Sequence, residues 1–209
     1  MRRIFVTGIG TGVGKTVVSA ILAEALDADY WKPIQAGDLD NSDTENVRRL
    51  VSNSKSFLHP ELYRLTQPMS PHAAAAVDGI TIELDAISKS IPFTLGRDLI
   101  IEGAGGIMSP VNDSALMIDM IAALGAEAII VSRNYLGSIN HTLLTVEALK
   151  RRGLPINGII FNGGPVQSST DFITRFSGIR PIGFIYEERI IDRQMVARYA
   201  QALRREFRR

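Results

Sequence analysis

The chain of 209 residues contains no cysteine. Without thiols it cannot form a disulfide bond, a thiolate metal site or a cysteine nucleophile. The absence also leaves no sign of an oxidising or a reducing compartment. Three histidines, His59, His72 and His141, lack the spacing of metal ligands, so we predict that none of them binds a metal.

Excess charge and long apolar runs are missing as well. The formal net charge is +1, which predicts no bulk electrostatic partner such as duplex DNA or an anionic membrane. No apolar run approaches the length of a membrane span, and the opening residues, MRRIFVTG, lack a signal-peptide core. We therefore expect a cytoplasmic protein that binds neither nucleic acid nor membrane.

Strand-like and helix-like patterns alternate along the chain. Apolar β-rich runs predict strands at 3–8, 30–34, 98–103, 126–132, 156–162 and 181–186. Helical periodicity predicts helices at 16–26, 44–51, 117–124, 139–151 and 193–207. This alternation predicts an α/β fold with a mostly parallel sheet and helices on both faces, as one domain over residues 1–209.

One stretch, residues 52–79, does not follow the alternation. It carries prolines at positions 60, 68 and 71 and reads as irregular throughout. A loop of this length in a compact domain is usually functional. We expect it to face the substrate.

The stretch TGIGTGVGKT has the composition of a phosphate-binding loop. Five residues separate Gly8 from Gly14-Lys15-Thr16, between a predicted strand and a predicted helix. Backbone N–H groups of such a loop point at a phosphate, the lysine reaches the β- and γ-oxygens, and the threonine hydroxyl can bind Mg²⁺. Gly10 stands where partition-type ATPases carry a second lysine, which argues against that group.

Two carboxylates are candidates for the second metal contact that such a protein needs. Glu102 ends the buried strand DLIIEG and precedes small residues that let phosphates approach. Asp43, in NSDTENV, lies at a helix start, where metal binding and helix capping are equally good interpretations.

Three further polar positions lie at predicted strand ends or helix starts. Lys32, in YWKPIQAG, can neutralise a transferring phosphoryl group, although a surface lysine is the alternative. The helix start at LGSINH can hold a carboxylate through its N–H groups, although Ser138 and Asn140 can also be simple caps. Asn162, in FNGG, can read the edge of a base.

In their order along the chain, these segments resemble the dethiobiotin synthetase family. The resemblance covers residues 4–185 and includes KPIQAG, NSD, SPHAAA, EGAGG, LGSINHTLLT and FNG. It implies a homodimer with a P-loop fold that binds Mg²⁺-ATP, CO₂ or bicarbonate, and 7,8-diaminononanoate. The implied reaction is carboxylation of one substrate amine, transfer of phosphate from ATP to the carbamate, and closure of a cyclic urea by the second amine.

The resemblance also implies roles for residues of this chain. The catalytic candidates are Thr11, Lys15 and Lys32, and the metal candidates are Thr16, Asp43 and Glu102. The nucleotide candidates are Gly12, Val13, Gly14, Lys15, Thr16, Val17, Asp43, Glu102, Gly103, Ala104, Gly105, Asn162, Tyr186, Glu187 and Glu188. The substrate candidates are Ala36, Ser138, Ile139 and Asn140.

Two positions depart from the family pattern. Gly12 replaces an acidic residue, and Ala36 stands where a hydroxyl often lies near the substrate amines. Either Gln35 or the backbone compensates for the lost contact, or the site binds its substrate less tightly. Phe172 lies in the region from which the family supplies an aromatic contact across the dimer. The alternative functions are a partitioning or switch ATPase that acts through protein partners, and a small-molecule kinase.

Overall fold

A parallel sheet of seven strands forms the centre of the computed structural model, which describes residues 1–164 and 166–207. The strands are β1 (Arg3–Gly8), β2 (Asp29–Trp31), β3 (Ile34–Ala36), β4 (Leu58–His59), β5 (Tyr63–Leu65), β6 (Leu99–Gly106), β7 (Glu127–Arg133), β8 (Ile156–Asn162) and β9 (Pro181–Ile185). The large sheet has the order β4-β2-β6-β1-β7-β8-β9, and β3 pairs with β5 in a separate ribbon. The predicted parallel α/β fold is confirmed.

Helices cover both faces of this sheet. They are α1 (Lys15–Leu26), α2 (Asp43–Leu50), α3 (Pro71–Val77), α4 (Leu84–Lys89), α5 (Met117–Ala123), α6 (Ser138–Arg151), α7 (Gln167–Ser177) and α8 (Arg193–Glu206). The five helices expected from periodicity all form within one residue of their predicted ends. Within the part of the chain that the structure describes, no helix has the length and apolarity needed to cross a bilayer.

Two hydrophobic cores lie on opposite faces of the sheet because successive side chains of a strand point to opposite sides. In β1, Ile4 and Val6 belong to the core under α1, α2 and α8. Phe5, between them, belongs to the core under α5, α6 and α7. Strands buried on both faces are apolar at nearly every position, which explains why the sequence showed runs in place of alternation.

The predicted strand 30–34 was wrong as one element. It divides into β2 of the large sheet and β3 of the ribbon, on either side of Lys32 and Pro33. Proline has no N–H to donate to a ladder. Its carbonyl instead accepts from the N–H groups of Leu62 and Tyr63, at 3.1 and 2.9 Å, and directs the chain into the ribbon.

The prediction that residues 52–79 are irregular was also wrong. The segment contains β4, β5 and α3, and its Pro71 is the first residue of α3, a position that favours proline. Strands of two or three residues are too short for a periodic pattern to reveal. The sequence reading also missed α4 and α7, and α7 buries Thr170 and Ser177 beside Ile173, which hides its apolar stripe.

Candidate nucleotide and metal site

The glycine-rich loop joins the end of β1 to the start of α1, as the sequence predicted. Gly14 has a φ of +93°, and a Cβ built there would lie 2.2 Å from Nδ2 of Asn162. Only glycine meets both demands, because side chains rarely adopt this conformation and no space is left for one. Gly12 has a φ of +71°, so glycine also suits the position where the family has an acidic residue.

Lys15 folds back over this loop. Its Nζ donates to the carbonyl of Gly10 at 3.0 Å, and the residue is 8% exposed. Burial, the largest cause, acts together with the nearby Lys32 against the opposing charges of Glu102 and Asp43, and the net result lowers the pKa of Lys15 to about 8. Because burial destabilises the charged form of this lysine, a nearby polyanion stabilises that form.

Thr16 and the two carboxylates predicted as metal ligands meet beside the loop. The Thr16 hydroxyl lies 2.9 Å from both Oδ1 of Asp43 and Oε1 of Glu102. Glu102 is 1% exposed. Three hard oxygen ligands on one side, with room for phosphate oxygens and water on the other, form a set that Mg²⁺ favours. Among the described residues, no group of three or more His, Cys, Asp or Glu side chains forms a separate metal cluster.

Lys32 joins this cluster, so its alternative interpretation as a surface lysine was wrong. It is 4% exposed, its Nζ lies 3.3 Å from Oε1 of Glu102, and it also contacts Oδ2 of Asp43. Register explains the meeting: Trp31 of β2 is level with Ile101 of β6, so the next residues of both strands are neighbours. Burial alone would lower the pKa of Lys32, but the two carboxylates raise it above its usual value.

The capping interpretation of Asp43 was wrong as well. Ser42 is the N-cap of α2, and its hydroxyl accepts from the N–H of Glu45 at 3.4 Å. Asp43 is the first helical residue, and its side chain turns toward the cluster. Burial would raise the pKa of Asp43, but Lys32 and the Thr16 hydroxyl lower it below its usual value, so the carboxylate stays charged.

Two further residues support this cluster: Tyr30 was not predicted as part of the site, and Gln35 was expected only as a replacement for the hydroxyl missing at Ala36. The buried Tyr30 donates its phenol to Oε2 of Glu102 at 2.9 Å. The buried Gln35 accepts from the N–H of Asp43 at 3.2 Å and donates to the carbonyl of Gly37 at 2.9 Å. The sequence offered only a weak signal for either residue, since Tyr30 reads as part of an apolar strand and Gln35 directly follows it.

A cavity of about 680 Å³ opens over the loop and the cluster. Its wall includes most of the predicted phosphate, metal and catalytic residues, and it adds Gln35, Ser109 and the segment before α3. The predicted residues that line it are Thr11, Gly12, Gly14, Lys15, Thr16, Val17, Lys32, Ala36, Asp43, Glu102, Gly103, Ala104 and Gly105. Pro68, Met69, Ser70 and Pro71 close one side, so part of the 52–79 segment does face the cavity.

A second cavity of about 340 Å³ adjoins the first along Gly12, Gly14 and Val17. Its wall gathers the residues predicted to surround the base, which are Asn162, Tyr186, Glu187 and Glu188. Val13 lines neither cavity; it is buried, and its carbonyl accepts from Nδ2 of Asn162 at 2.8 Å. This bond ties the predicted base contact to the phosphate loop.

The predicted substrate residues at the start of α6 do not line either cavity. Gly137 is the N-cap of α6, so the alternative of Ser138 or Asn140 as the cap was wrong. Ser138 is buried beside Ser132, Asn162 and Thr170, whereas Asn140 is exposed. The structure therefore places most of the nucleotide and metal candidates around the two adjoining cavities, and the start of α6 lies outside both.

Solved structures with the same architecture support the description of the fold. The cell-division ATPase MinD of Pyrococcus furiosus superposes with a TM-score of 0.63 at 17% identity, covering 100% of this chain and 99% of that one. The MinC–MinD complex of Aquifex aeolicus gives a TM-score of 0.63 at 16% identity, covering 100% and 95%. At such low identity the likeness concerns the fold alone.

Sequence comparisons reach much closer relatives. The family described as AAA domain matches residues 2–194. The ATP-dependent dethiobiotin synthetase BioD of Christiangramia forsetii is 51% identical over 201 residues, which is 96% of this chain and 95% of the relative. The protein of the same name from Cytophaga hutchinsonii is 48% identical over 203 residues, covering 97% of each chain. With nearly half of all positions identical from end to end, this chain belongs to the dethiobiotin synthetase family.

Proposed function

We propose that the protein is an ATP-dependent dethiobiotin synthetase that converts 7,8-diaminononanoate and CO₂ to dethiobiotin in the cytoplasm. The observation that carries the proposal is the meeting of Lys32 with Thr16, Asp43 and Glu102 beside the phosphate loop. A buried lysine between two carboxylates, at the floor of a cavity, suits charge neutralisation in phosphoryl transfer.

ATP occupies the two adjoining cavities in this proposal. The loop from Gly12 to Val17 holds its phosphates through backbone N–H groups and the start of α1. Asn162 contacts the base, with Tyr186, Glu187 and Glu188 beside it. The wall shared by the two cavities supports this arrangement, because it lets one elongated ligand contact both.

The oxygen-rich donor set fits Mg²⁺ as the metal partner of ATP. Thr16, Asp43 and Glu102 would hold it, and it would supply neutralisation of charge on the β- and γ-phosphates. Lys32 already pairs with both carboxylates and offsets part of their negative charge without a metal ion.

The chemistry needs no nucleophile from the protein. One substrate amine adds to CO₂ and loses a proton to give a carbamate, and a carbamate oxygen attacks the γ-phosphorus of ATP as the bond to ADP breaks. The second amine then attacks the carbamoyl carbon of this mixed anhydride, closes the cyclic urea and releases phosphate. Lys15 and Lys32 stabilise the transferring phosphoryl group, Thr11 lines the same cavity, and positioning accounts for much of the acceleration.

The substrate lies between Lys32 and the segment before α3. Ala36 offers no hydroxyl, and Gln35 is already engaged by Asp43 and Gly37, so it does not replace the missing contact. We assign the substrate carboxylate to the N–H groups at Ser138, Ile139 and Asn140. These three residues do not line the cavity of their own chain that contains Lys32.

We further propose a homodimer. Leu136, two residues before α6, is fully exposed, and the stacked rings of Phe172 and Phe176 on α7 are also exposed. Exposed apolar side chains of this size favour burial against another protein surface. Light scattering after size exclusion measures the mass, and a monomer at micromolar concentration would contradict the dimer.

Turnover of ATP tests the function. We expect phosphate release only when both 7,8-diaminononanoate and bicarbonate are present, together with formation of the cyclic urea seen by mass spectrometry. A partitioning ATPase would ignore the diamine, and a small-molecule kinase would phosphorylate it without adding carbon. An analogue that keeps only the carbamate-forming amine should support phosphate transfer but no ring closure.

A further inference from the structure

Glu102 offers its two carboxylate oxygens to different surroundings. Oε1 faces the cavity, at 2.9 Å from the Thr16 hydroxyl and 3.3 Å from Nζ of Lys32. Oε2 faces the protein interior, where the phenol of Tyr30 donates to it at 2.9 Å. Neither oxygen is without a hydrogen-bond or ion-pair partner, so the carboxylate plane has a defined orientation.

Tyr30 is held firmly in place. It lies in β2, level with Ile100 of β6, and is fully buried in the core under α1 and α2. Its hydroxyl therefore donates to Oε2 from a fixed position, at 2.9 Å.

We propose that Tyr30 is a positioning residue that occupies Oε2 of Glu102, leaves only Oε1 for the metal and thereby favours Mg²⁺ over Ca²⁺. The inference rests on the proposed metal site. Mg²⁺ takes single carboxylate oxygens in strict octahedral geometry, whereas Ca²⁺ takes more ligands and accepts both oxygens of one carboxylate. A hydrogen bond that withholds one oxygen therefore discriminates between the two ions.

The test is direct binding of each metal in the presence of ADP. The chain has one tryptophan, Trp31, which is buried next to Lys32 and reports on the cluster by its fluorescence. Calorimetry supplies an independent readout. We compare wild type with Tyr30→Phe, which keeps the ring and removes the hydroxyl.

Partners that orient metal ligands typically change affinity about 10- to 100-fold when removed. We expect Mg²⁺ to bind Tyr30→Phe roughly tenfold more weakly, at the low end of that range. Ca²⁺ should lose less affinity or gain some, because Oε2 becomes available to it. The preference for Mg²⁺ over Ca²⁺ should therefore fall.

Thr94→Val is the matched control. Thr94 is 1% exposed, its hydroxyl donates to the carbonyl of Arg97 at 2.7 Å, and it lies in the loop before β6, away from the cavity. Removing this buried hydroxyl should leave both metal affinities at wild-type values. Tyr30→Leu is a second variant that removes the phenol with a smaller side chain and should shift the preference in the same direction as Tyr30→Phe.

If Tyr30→Phe binds each metal, Mg²⁺ and Ca²⁺, with the same affinity as wild type does, the proposed role of Tyr30 is overturned. So would a general loss of affinity that leaves the preference unchanged, because that result describes a structural defect. Turnover of wild type with diamine and bicarbonate reports the proposed function separately. If wild type makes dethiobiotin and Tyr30→Phe has the metal preference of wild type, this inference alone is refuted and the proposed function stands.

Discussion

Replacing Lys32 with methionine tests the balance of charge in the cluster. The ammonium lies between Asp43 and Glu102; the side chains of Lys32 and Glu102 are buried, and that of Asp43 is 30% exposed. Methionine fills a similar volume but has no charge. In the absence of metal, the variant must hold two neighbouring carboxylates without the cation that pairs with both.

The structure gives the size of this effect. At 3.3 Å, the contact between Nζ and Oε1 of Glu102 corresponds to about 5 kcal/mol of Coulomb attraction at an effective dielectric constant of roughly 20. Desolvation of the lysine offsets part of that value, and removing one member of a buried pair typically costs about 3–5 kcal/mol. For a chain of this length, each kcal/mol lowers Tm by about 2–4 °C. We therefore expect a fall in Tm of roughly 6–20 °C.

The assay is thermal unfolding of Lys32→Met with and without Mg²⁺. Added Mg²⁺ should recover more stability in the variant than in wild type, because the competing ammonium is gone from Glu102 and Asp43. Lys55→Met is the control: Lys55 pairs with Asp27 at 2.6 Å on the surface, and exposed pairs contribute only about 0–1 kcal/mol.

Kinetics of Lys32→Met complete the test. The turnover number should fall by about a hundredfold or more, while the ATP KM changes little, because the interaction is made mainly in the transition state. Metal-free unfolding of Lys32→Met at the wild-type temperature would refute the reasoning about charge balance. A large rise in ATP KM at an unchanged turnover number would refute the catalytic role.

Three further predictions follow from the site and from two buried carboxylates elsewhere. Gly14→Ala should weaken ATP binding, because the left-handed backbone costs about 1–2 kcal/mol and the new Cβ displaces Asn162; equilibrium titration with a fluorescent ATP analogue measures it. Asp43→Asn should raise the Mg²⁺ concentration for half-maximal turnover about tenfold, as if roughly 1.4 kcal/mol of attraction were lost. Finally, the protein should lose stability in acid below about pH 4, where unfolded carboxylates protonate. Burial by itself would raise the pKa values of Asp29 and Glu24. The hydrogen bonds from Arg97 to Asp29, and from Ser52 and Asn53 to Glu24, outweigh burial, so both pKa values are lowered.

The sign of the acid effect follows from the lowered pKa values. The stabilisation from Asp29 and Glu24 is complete above the unfolded pKa and disappears as pH falls through the lower folded pKa. Urea midpoints between pH 6 and pH 3 measure it, and Asp29→Asn should flatten the acid limb. An unchanged slope in that variant would contradict the assignment. Wild-type affinity for ATP in Gly14→Ala, or a wild-type Mg²⁺ titration for Asp43→Asn, would contradict the other two predictions.

Local features of the fold could be predicted from the sequence. The ends of the five helices predicted from periodicity fell within one residue of the prediction, because helical periodicity and the glycine loop depend on residues close together in the sequence. The phosphate loop needed only its own glycines, Lys15 and Thr16 in their spacing. The expected relationship to the dethiobiotin synthetases was confirmed because it rests on several such segments in order.

Short elements between the long ones could not be predicted. Strands β4 and β5 have two and three residues, too few for the two-residue alternation of a strand to be recognised in the sequence. They form because their neighbours β2 and β3 present unpaired ladder groups to them, which is a property of the assembled sheet. The reading of 52–79 as irregular failed for this reason.

The sequence by itself determined which chemical groups the site contains, and the tertiary structure decided how they meet. Lys32 and Glu102 are seventy positions apart in the chain, and only the parallel register of β2 against β6 makes them neighbours. The burial of Lys32, the contacts of the Asp43 side chain with Thr16 and Lys32, and the hydrogen bond from Tyr30 to Oε2 all depend on that packing. The sequence names a charged residue but not the dielectric environment around it. That environment is set by the atoms that pack around the charge and exclude water.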